Sequence, residues 1–238
     1  MVNKVFYRLL VKARPFHVAQ GCTRCVCRYP EKLNLCANLG VYGLIAEDDV
    51  HFNGWFAEYI LIRKNSSIFV VNDMTLDERM LIEPACVCVH SLARAKPLDI
   101  IDFSSTVLVQ GCGPIGLMQI AVLKAHGVVQ CTGVPQAAAD AYKYVRRGGG
   151  YCEMGFFVNA GECTMNPHFG LCNKEFNLVG SWVYGANEYI TTLGFLKKAK
   201  EMGIPVEKLV THHYILDQYV EAVEKNISLT GIKTAICP

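Results

Sequence analysis

Apolar and polar positions follow two rhythms along this chain, and the rhythm changes where glycine and proline gather. In the basic, apolar opening stretch, Val5–Val11 and Phe16–Ala19 read as strands. Gly21–Cys36 is a cysteine-rich loop, and Asn38–Tyr42 and Asp48–Asn53 are rich in turn residues. Gly54–Arg63, GWFAEYILIR, mixes aromatic and β-branched residues and predicts a strand, as does Ile68–Val71. Asp77 begins a short acidic helix, and Pro84, at a first helical position, opens an apolar helix through about Ala95. Pro97 and Asp99 mark a joint. Beyond it, strand-like runs at Thr106–Val109, Val128–Gly133, Tyr151–Phe157 and Phe176–Val179 alternate with helical spacing at Ile115–His126, Pro135–Arg147 and Asn187–Met202. A strand at Leu209–Tyr214, a helix at Asp217–Lys225 and a strand at Lys233–Ile236 close the chain. Strands that alternate with helices predict an α/β fold with a mainly parallel, covered sheet.

The stretch Ser105–Gly127, STVLVQGCGPIGLMQIAVLKAHG, joins a buried strand to an apolar helix through Gly111, Cys112, Gly113, Pro114, Ile115 and Gly116. Strand, glycine turn and helix in that order turn a weak G-x-G-x-x-G match into a dinucleotide-binding fingerprint. Gly111 permits the tight turn, Gly113 lets the backbone approach a pyrophosphate, and Gly116 lets the helix pack against the strand. The free N–H groups and positive end of the helix face the phosphates. The plainer alternative is a glycine turn in an ordinary α/β unit.

Composition narrows the field. A net charge of +2 gives no case for a nucleic-acid partner, and no apolar run is long enough and charge-free enough to span a membrane. The chain has 12 cysteines beside a nucleotide fingerprint, which favours reduced thiols and a metal over a disulfide scaffold, hence a cytoplasmic protein. The first 30 residues lack Asp and Glu and carry Lys4, Arg8, Lys12 and Arg14, as a mitochondrial transit peptide would, although VFYRLLV also reads as a strand. Cys86, Cys88, Cys112, Cys131, Cys152, Cys163, Cys172 and Cys237 lie in apolar contexts and read as small core residues.

Taken together, GCTRCVC…NLCANLGVYG, NGWFAEYILI, LIEPACVCVHSLARA, VLVQGCGPIGLMQIA, CTGVPQAA, YVRRGGGYCEMGFF, CNKEFNLVGSW and KLVTHHYILDQYVEAVE fall in a meaningful order. From about Gly21 to Pro238 the sequence resembles the zinc-containing medium-chain dehydrogenases, in their sorbitol and threonine dehydrogenase-like branch. The resemblance implies a GroES-like barrel domain over residues 1–97 and 211–238 and a doubly wound Rossmann domain over 98–210. It implies hydride transfer between NAD or NADP and a small alcohol or polyol, with zinc polarising the oxygen, and an oligomeric or self-associating chain. Gly180, Ser181 and Trp182 would lie beside the nicotinamide, together with the phosphate turn of Gly111, Gly113, Pro114, Ile115 and Gly116. Their plainer reading is a strand end.

The chain also departs from that family. Of the catalytic zinc ligands it keeps the Glu-Pro member as Glu83; no Gly-His-Glu occurs, and one carboxylate cannot hold a metal that needs three protein ligands. His17 is a conceivable substitute, but a histidine in a strand-like run is more often structural. Cys22, Cys25 and Cys36 match the family's structural zinc loop, while position 28 holds Arg28 and Cys27 stands one residue early. A one-residue slip in a loop can be absorbed, so the four cysteines are read as a tetrahedral zinc thiolate site in preference to free thiols. No acid follows the glycines by about 20 residues on a second strand, as a ribose-binding site needs. Asp140 sits in a helical stretch, so NAD and NADP are not separated.

The family's Cys-Gly-Thr/Ser-Asp segment upstream of Gly21, and strands two and three of the nucleotide domain near Gly127, are therefore expected to be missing. Pairing the first strand directly with the fourth, with the helix on its usual face, would make a left-handed crossover and uncover a sheet edge. Low stability and self-association through that edge are expected. Two functional readings follow: an NAD(P)-dependent zinc alcohol or polyol dehydrogenase in an incomplete copy, or a non-catalytic zinc- or nucleotide-binding pseudoenzyme acting through association.

Overall fold

The computed structural model describes residues 9–12, 34–35, 67–71, 74–98, 107–123 and 128–237. The chain forms two compact units, one of residues 1–82, 185–189 and 207–238, the other of residues 83–184 and 190–206.

In the first unit, β1 (Leu9–Lys12) pairs antiparallel with β2 (Ser67–Val70), and Phe69 stacks on Tyr189 with ring centroids 4.7 Å apart. The short helix α1 (Leu76–Met80) begins at a capping box. The Thr75 hydroxyl accepts from the Glu78 N–H at 3.3 Å, and the Glu78 carboxylate accepts from the Thr75 N–H at 2.6 Å. The unit's parallel pair of β7 (Val210–Ile215) and β8 (Lys233–Cys237) is joined through α7 (Tyr219–Ile227). Asp77 of α1 meets the His213 ring of β7 at 2.6 Å.

The second unit holds the covered sheet. α2 (Ile82–Ala95) precedes it; β3 (Val109–Gln110), α3 (Pro114–Leu123), β4 (Val128–Gln130), α4 (Pro135–Tyr144), β5 (Gly150–Glu153), α5 (Pro167–Gly170) and β6 (Asn177–Gly180) follow in chain order. α6 (Glu188–Glu201) comes next and lies mostly in this unit. The four strands pair in parallel in the order β3-β4-β5-β6, and Gln110, Gln130, Glu153 and Gly180 form one row across their carboxyl ends. Successive side chains of a strand point to opposite faces. β5 uses both: Cys152 packs with Ala95 of α2, Leu123 of α3 and Val179, while Tyr151 packs with Ala141 of α4, Val145 and Phe176. Both Tyr151 and Cys152 are fully buried, as a doubly covered sheet requires. The α/β expectation therefore holds.

The two faces fix an unusual relation between connections. β3→β4 and β4→β5 step the same way across the sheet, yet α3 lies on the Cys152 face and α4 on the Tyr151 face. Two crossovers that step alike over opposite faces have opposite hands. Leu171, on the way from β5 to β6, packs on the Tyr151 face with α4, so the α3 crossover is the one of differing hand. Right-handed crossovers account for about 98% of such connections.

Element limits differ from the expectations where backbone polar groups find other partners. α4 stops at Tyr144, not Arg147, because Val145 turns to extended backbone. β5 stops at Glu153, not Phe157, because the Gly155 N–H turns back to donate to the Glu153 carboxylate at 2.8 Å. Cys86, Cys88 and Cys152 are buried as expected, but Cys112, Cys163 and Cys172 are exposed: Cys112 and Cys163 sit in irregular stretches and Cys172 opens a single 3-10 turn, where apolar neighbours in sequence do not make a buried face. Phe16–Ala19, Gly54–Arg63 and His17 lie outside the described residues.

One lysine secures the covered face. Lys174 Nζ donates to the carbonyls of Tyr142, Lys143 and Val145 at 2.7, 2.9 and 2.8 Å, closing the carboxyl end of α4 where backbone acceptors would otherwise be left over. Lys174→Met is expected to destabilise the chain by about 1–2 kcal/mol, the range of charge-assisted hydrogen bonds reduced for partial exposure. A denaturant midpoint unchanged by the substitution would refute this.

Candidate dinucleotide and metal sites

The glycine turn expected to hold phosphate is built by β3 and α3. Gly111 has φ of +121°, a conformation that side chains rarely adopt, and a Cβ there would lie 3.3 Å from Thr132 Cγ2. The chain then bends so that α3 starts at Pro114, whose missing N–H costs nothing at a first helical position. The Leu117 N–H donates to the Gly113 carbonyl at 3.0 Å. Gly116 packs directly on the turn: a Cβ there would collide with the Gly111 carbonyl oxygen and lie 2.7 Å from its carbon. At Gly113, by contrast, a Cβ would meet nothing within 4 Å. The surface that would face a ligand is open, and the surface that faces the strand is closed.

α2 fixes α3 from behind. Cys88 Sγ donates to the Ile115 carbonyl at 3.6 Å. The buried Ser91 hydroxyl lies 2.8 Å from the Cys88 carbonyl and 3.1 Å from Gln119 Oε1. Burial holds the Cys88 thiol well above its ordinary pKa, with Cys131, Glu83 and Cys86 adding to the effect, so it is a neutral donor. Burial likewise pushes Cys131 and Cys152 up to about 12.

Gly180 ends β6, and its carbonyl accepts from Arg94 Nε of α2 at 3.4 Å. The Ser181 N–H donates to the Glu153 carbonyl at 2.9 Å, while Ser181 Oγ is buried with no partner. Trp182 stacks on Phe157 with centroids 5.6 Å apart and planes 14° apart, and both rings are about half exposed. The sequence pattern gives no sign of Arg94, Phe157 or Glu153 at this place. Phe157 reads there as a strand residue, which hides its position beside Trp182.

The metal expectations have a different outcome. Glu83 lies in the first turn of α2 and accepts from the Tyr184 hydroxyl at 3.1 Å. Among the described residues, no three His, Cys, Asp or Glu side chains gather closely enough to hold a metal ion. Those residues therefore do not fit a catalytic zinc at Glu83. Cys22, Cys25, Cys27 and Cys36 lie outside the described residues. Among the described residues, no helix is long and apolar enough to cross a membrane.

No protein-family profile matches the chain. D-arabinitol dehydrogenase 1 of Uromyces fabae is 27% identical over 273 aligned positions, covering 93% of this chain and 73% of the relative. Since this chain has 238 residues, at least 35 of those positions face a gap in it. Sorbitol dehydrogenase of Bacillus subtilis is 25% identical, covering 91% of this chain and 71% of the relative. An alcohol dehydrogenase of Thermotoga maritima shares the fold with a TM-score of 0.77 at 19% identity, covering 97% of this chain and 75% of its own. A Sinorhizobium meliloti protein, assigned as a zinc-binding dehydrogenase and bound to NADP, does so with a TM-score of 0.73 at 18% identity, covering 92% and 74%.

Gly116→Ala is expected to cost about 1–3 kcal/mol, as overpacking against backbone does. Equilibrium unfolding of the variant checks this, and a wild-type midpoint would show that the turn can yield.

The glycine turn stands in a chain that is similar along about nine-tenths of its length to polyol dehydrogenases and that shares its fold with an alcohol dehydrogenase and a zinc-binding dehydrogenase, in line with the resemblance to the zinc-containing medium-chain dehydrogenases.

Proposed function

We propose that the chain is an NAD(P)-dependent oxidoreductase that exchanges a hydride with a small alcohol or polyol. The observation that carries this reading is the phosphate turn, open at Gly113 and closed at Gly116. Gly111, Gly113, Pro114, Ile115 and Gly116 would hold the pyrophosphate through backbone N–H groups at the start of α3. Gly180, Ser181 and Trp182, at the carboxyl end of β6, would border the nicotinamide, and the unpartnered Ser181 hydroxyl lies buried beneath that place. When bound, the cofactor supplies the hydride chemistry. This chain's residues orient it and exclude water around it. No step is assigned to a metal at Glu83, whose carboxylate holds the Tyr184 hydroxyl.

The finer parts of the reading are of the same kind. Four cysteines form a chemically apt set for a tetrahedral structural zinc, and we assign that role to Cys22, Cys25, Cys27 and Cys36. Residues 1–97 and 211–238 would be the GroES-like remnant, and 98–210 the Rossmann domain. The gapped alignment and the differing hand of the α3 crossover support the loss of the second and third strands of that domain. Association of copies through the β3 edge, and a cytoplasmic setting, complete the proposal.

Gly113→Ala, with nothing to strike, is expected to change stability by less than about 0.5 kcal/mol. It should weaken NAD(H) binding about tenfold or more, a loss of about 1.4 kcal/mol. Calorimetry on both forms checks this, and equal affinities would remove the turn from the cofactor site. Reduction of NAD+ or NADP+ with a panel including D-arabinitol, sorbitol and xylitol is expected with at least one polyol. A chain that binds the cofactor but reduces it with none of them would be a binding protein instead.

Elemental analysis is expected to find one zinc per chain, lost on joint substitution of Cys22 and Cys25 by serine. A second zinc, or one that survives, would move the metal elsewhere.

A further inference from the structure

We propose that Glu153 is the ribose-recognising carboxylate of the dinucleotide site, accepting a hydroxyl of the nicotinamide-side ribose. The inference rests on the dinucleotide reading above. A glycine-turn site ordinarily carries an acid about 20 residues beyond its glycines for the 2′-hydroxyl of the adenosine ribose, a different ribose from the one assigned to Glu153. Asp140 cannot fill that role, because its carboxylate is held on the exposed surface of α4 by Lys143 at 2.7 Å and Gln136 at 3.2 Å.

Position comes first. Ligands of open parallel sheets bind beyond the carboxyl ends of the strands. The row there reads Gln110, Gln130, Glu153 and Gly180, and Glu153 is its only carboxylate. It stands two strands from the phosphate turn, about 10 Å at ordinary strand spacing. It lies on the side toward Gly180, Ser181 and Trp182, which makes it a candidate for the nicotinamide half.

Continuity is the second observation. Gly111 abuts Cys131 and Thr132, with a Cβ at Gly111 3.3–3.5 Å from their atoms. A Cβ at Gly133 would stand 2.6 Å from the Gly155 carbonyl oxygen. The Gly155 N–H in turn donates to Glu153 Oε1. Backbone therefore runs from the phosphate turn to the carboxylate, with glycine at each close approach.

The chemistry fits a hydroxyl donor. The Tyr151 hydroxyl donates to Glu153 Oε2 at 2.7 Å, and Gly155 takes the other oxygen. A carboxylate offers about four lone-pair directions, so acceptor capacity remains. Burial raises the Glu153 carboxyl above its ordinary pKa, although the Tyr151, Gly155 and Met154 donors pull the other way. The titratable groups that bear on it are Tyr142, Tyr151, Cys131 and Cys152, all neutral around pH 7, and no described lysine or arginine pairs with it. A bound hydroxyl favours the ionised form. Affinity should thus be greatest above the Glu153 pKa and fall as the pH drops through it.

The test is calorimetric titration of the full chain with NAD+, nicotinamide mononucleotide and AMP, for the wild type, Glu153→Gln and Tyr151→Phe. Glu153→Gln is expected to weaken NAD+ and nicotinamide mononucleotide by about ten- to a hundredfold, the range for a hydrogen bond to a charged group. AMP binding should be unchanged. Tyr151→Phe, which removes a donor but keeps the carboxylate, should keep most NAD+ affinity. Both half-ligands are phosphate monoesters that titrate at about pH 6, so wild-type affinity for nicotinamide mononucleotide should fall more steeply at low pH than that for AMP, the excess reporting Glu153. Equal affinities in wild type and Glu153→Gln, or equal losses for both half-ligands, would overturn the inference. Should Glu153→Gln fail to fold, parallel pH profiles for the two half-ligands in the wild type would do the same. A wild type that binds no pyridine nucleotide at any pH would instead strike down the dinucleotide reading, and this inference with it.

Discussion

The buried contact between α2 and α3 is the constraint on which the sheet unit depends. Ser91 and Gln119 are almost fully buried; the Ser91 hydroxyl lies between the Cys88 carbonyl and Gln119 Oε1, while Gln119 Nε2 is left without a partner among the described residues. A hydrogen bond of this kind contributes modestly when made, but leaving both groups buried and unpaired costs roughly 1–3 kcal/mol each. Leu92 and Ala95 of α2 pack with Leu123 of α3 over Cys152 on the same face. Moving α3 to the other face would forfeit both the polar and the apolar contacts. α3 therefore stays on the face of α2 even though β3 pairs with β4.

The differing hand of the α3 crossover follows from that choice. In a doubly wound sheet the helix after the first strand leads outward to a second strand, and the helix after the fourth leads the other way on the opposite face. Here α3 and α4 keep opposite faces, but their strands advance in one direction. The proposed loss of two strands beside the first, without moving any helix, would produce this arrangement. Packing is satisfied locally while the chirality preference is not. That preference is a property of the connection, and it is weaker than a set of buried contacts already made.

Much of the sheet unit is legible in the sequence. Four strands, the glycine turn and the helices after it follow from apolar runs set between glycine and proline. Tyr151 and Cys152 side by side on one strand signal a sheet covered twice. What pattern cannot supply is how polar side chains are used at the ends of elements. Glu153 reads as one residue of a longer strand, but its carboxylate caps the turn that ends the strand. Lys174 carries no signal of closing α4, because its three acceptors lie about 30 residues earlier in the chain. The Thr75–Glu78 capping box is readable as T-x-x-E before an apolar run. At Glu83, a family motif marks a metal ligand, and its oxygen is engaged by a tyrosine hydroxyl 101 residues away. Sequence order alone does not reveal that competition.

The phosphate turn is carried by the shortest strand of the sheet. β3 pairs at Val109 and Gln110 and has β4 as its only neighbour among the described residues. So short a ladder cannot by itself fix a turn to the tolerance that a pyrophosphate demands. Three other contacts help to hold it. The Cys131 N–H donates to the Gln110 carbonyl at 3.0 Å and extends the ladder by one bond. Gln110 Nε2 donates to the Ala137 carbonyl in α4 at 3.1 Å. From behind, Cys88 holds the Ile115 carbonyl in the first turn of α3. The turn is thus held by helices on both faces of the sheet more than by its own strand. A ligand bound there would stabilise an edge that the ladder leaves weak, because whatever binds only the folded form adds to its stability. On the proposed dinucleotide reading, cofactor affinity and the order of the β3 edge would be two expressions of one equilibrium, and a contact that loosens α3 should be felt in both.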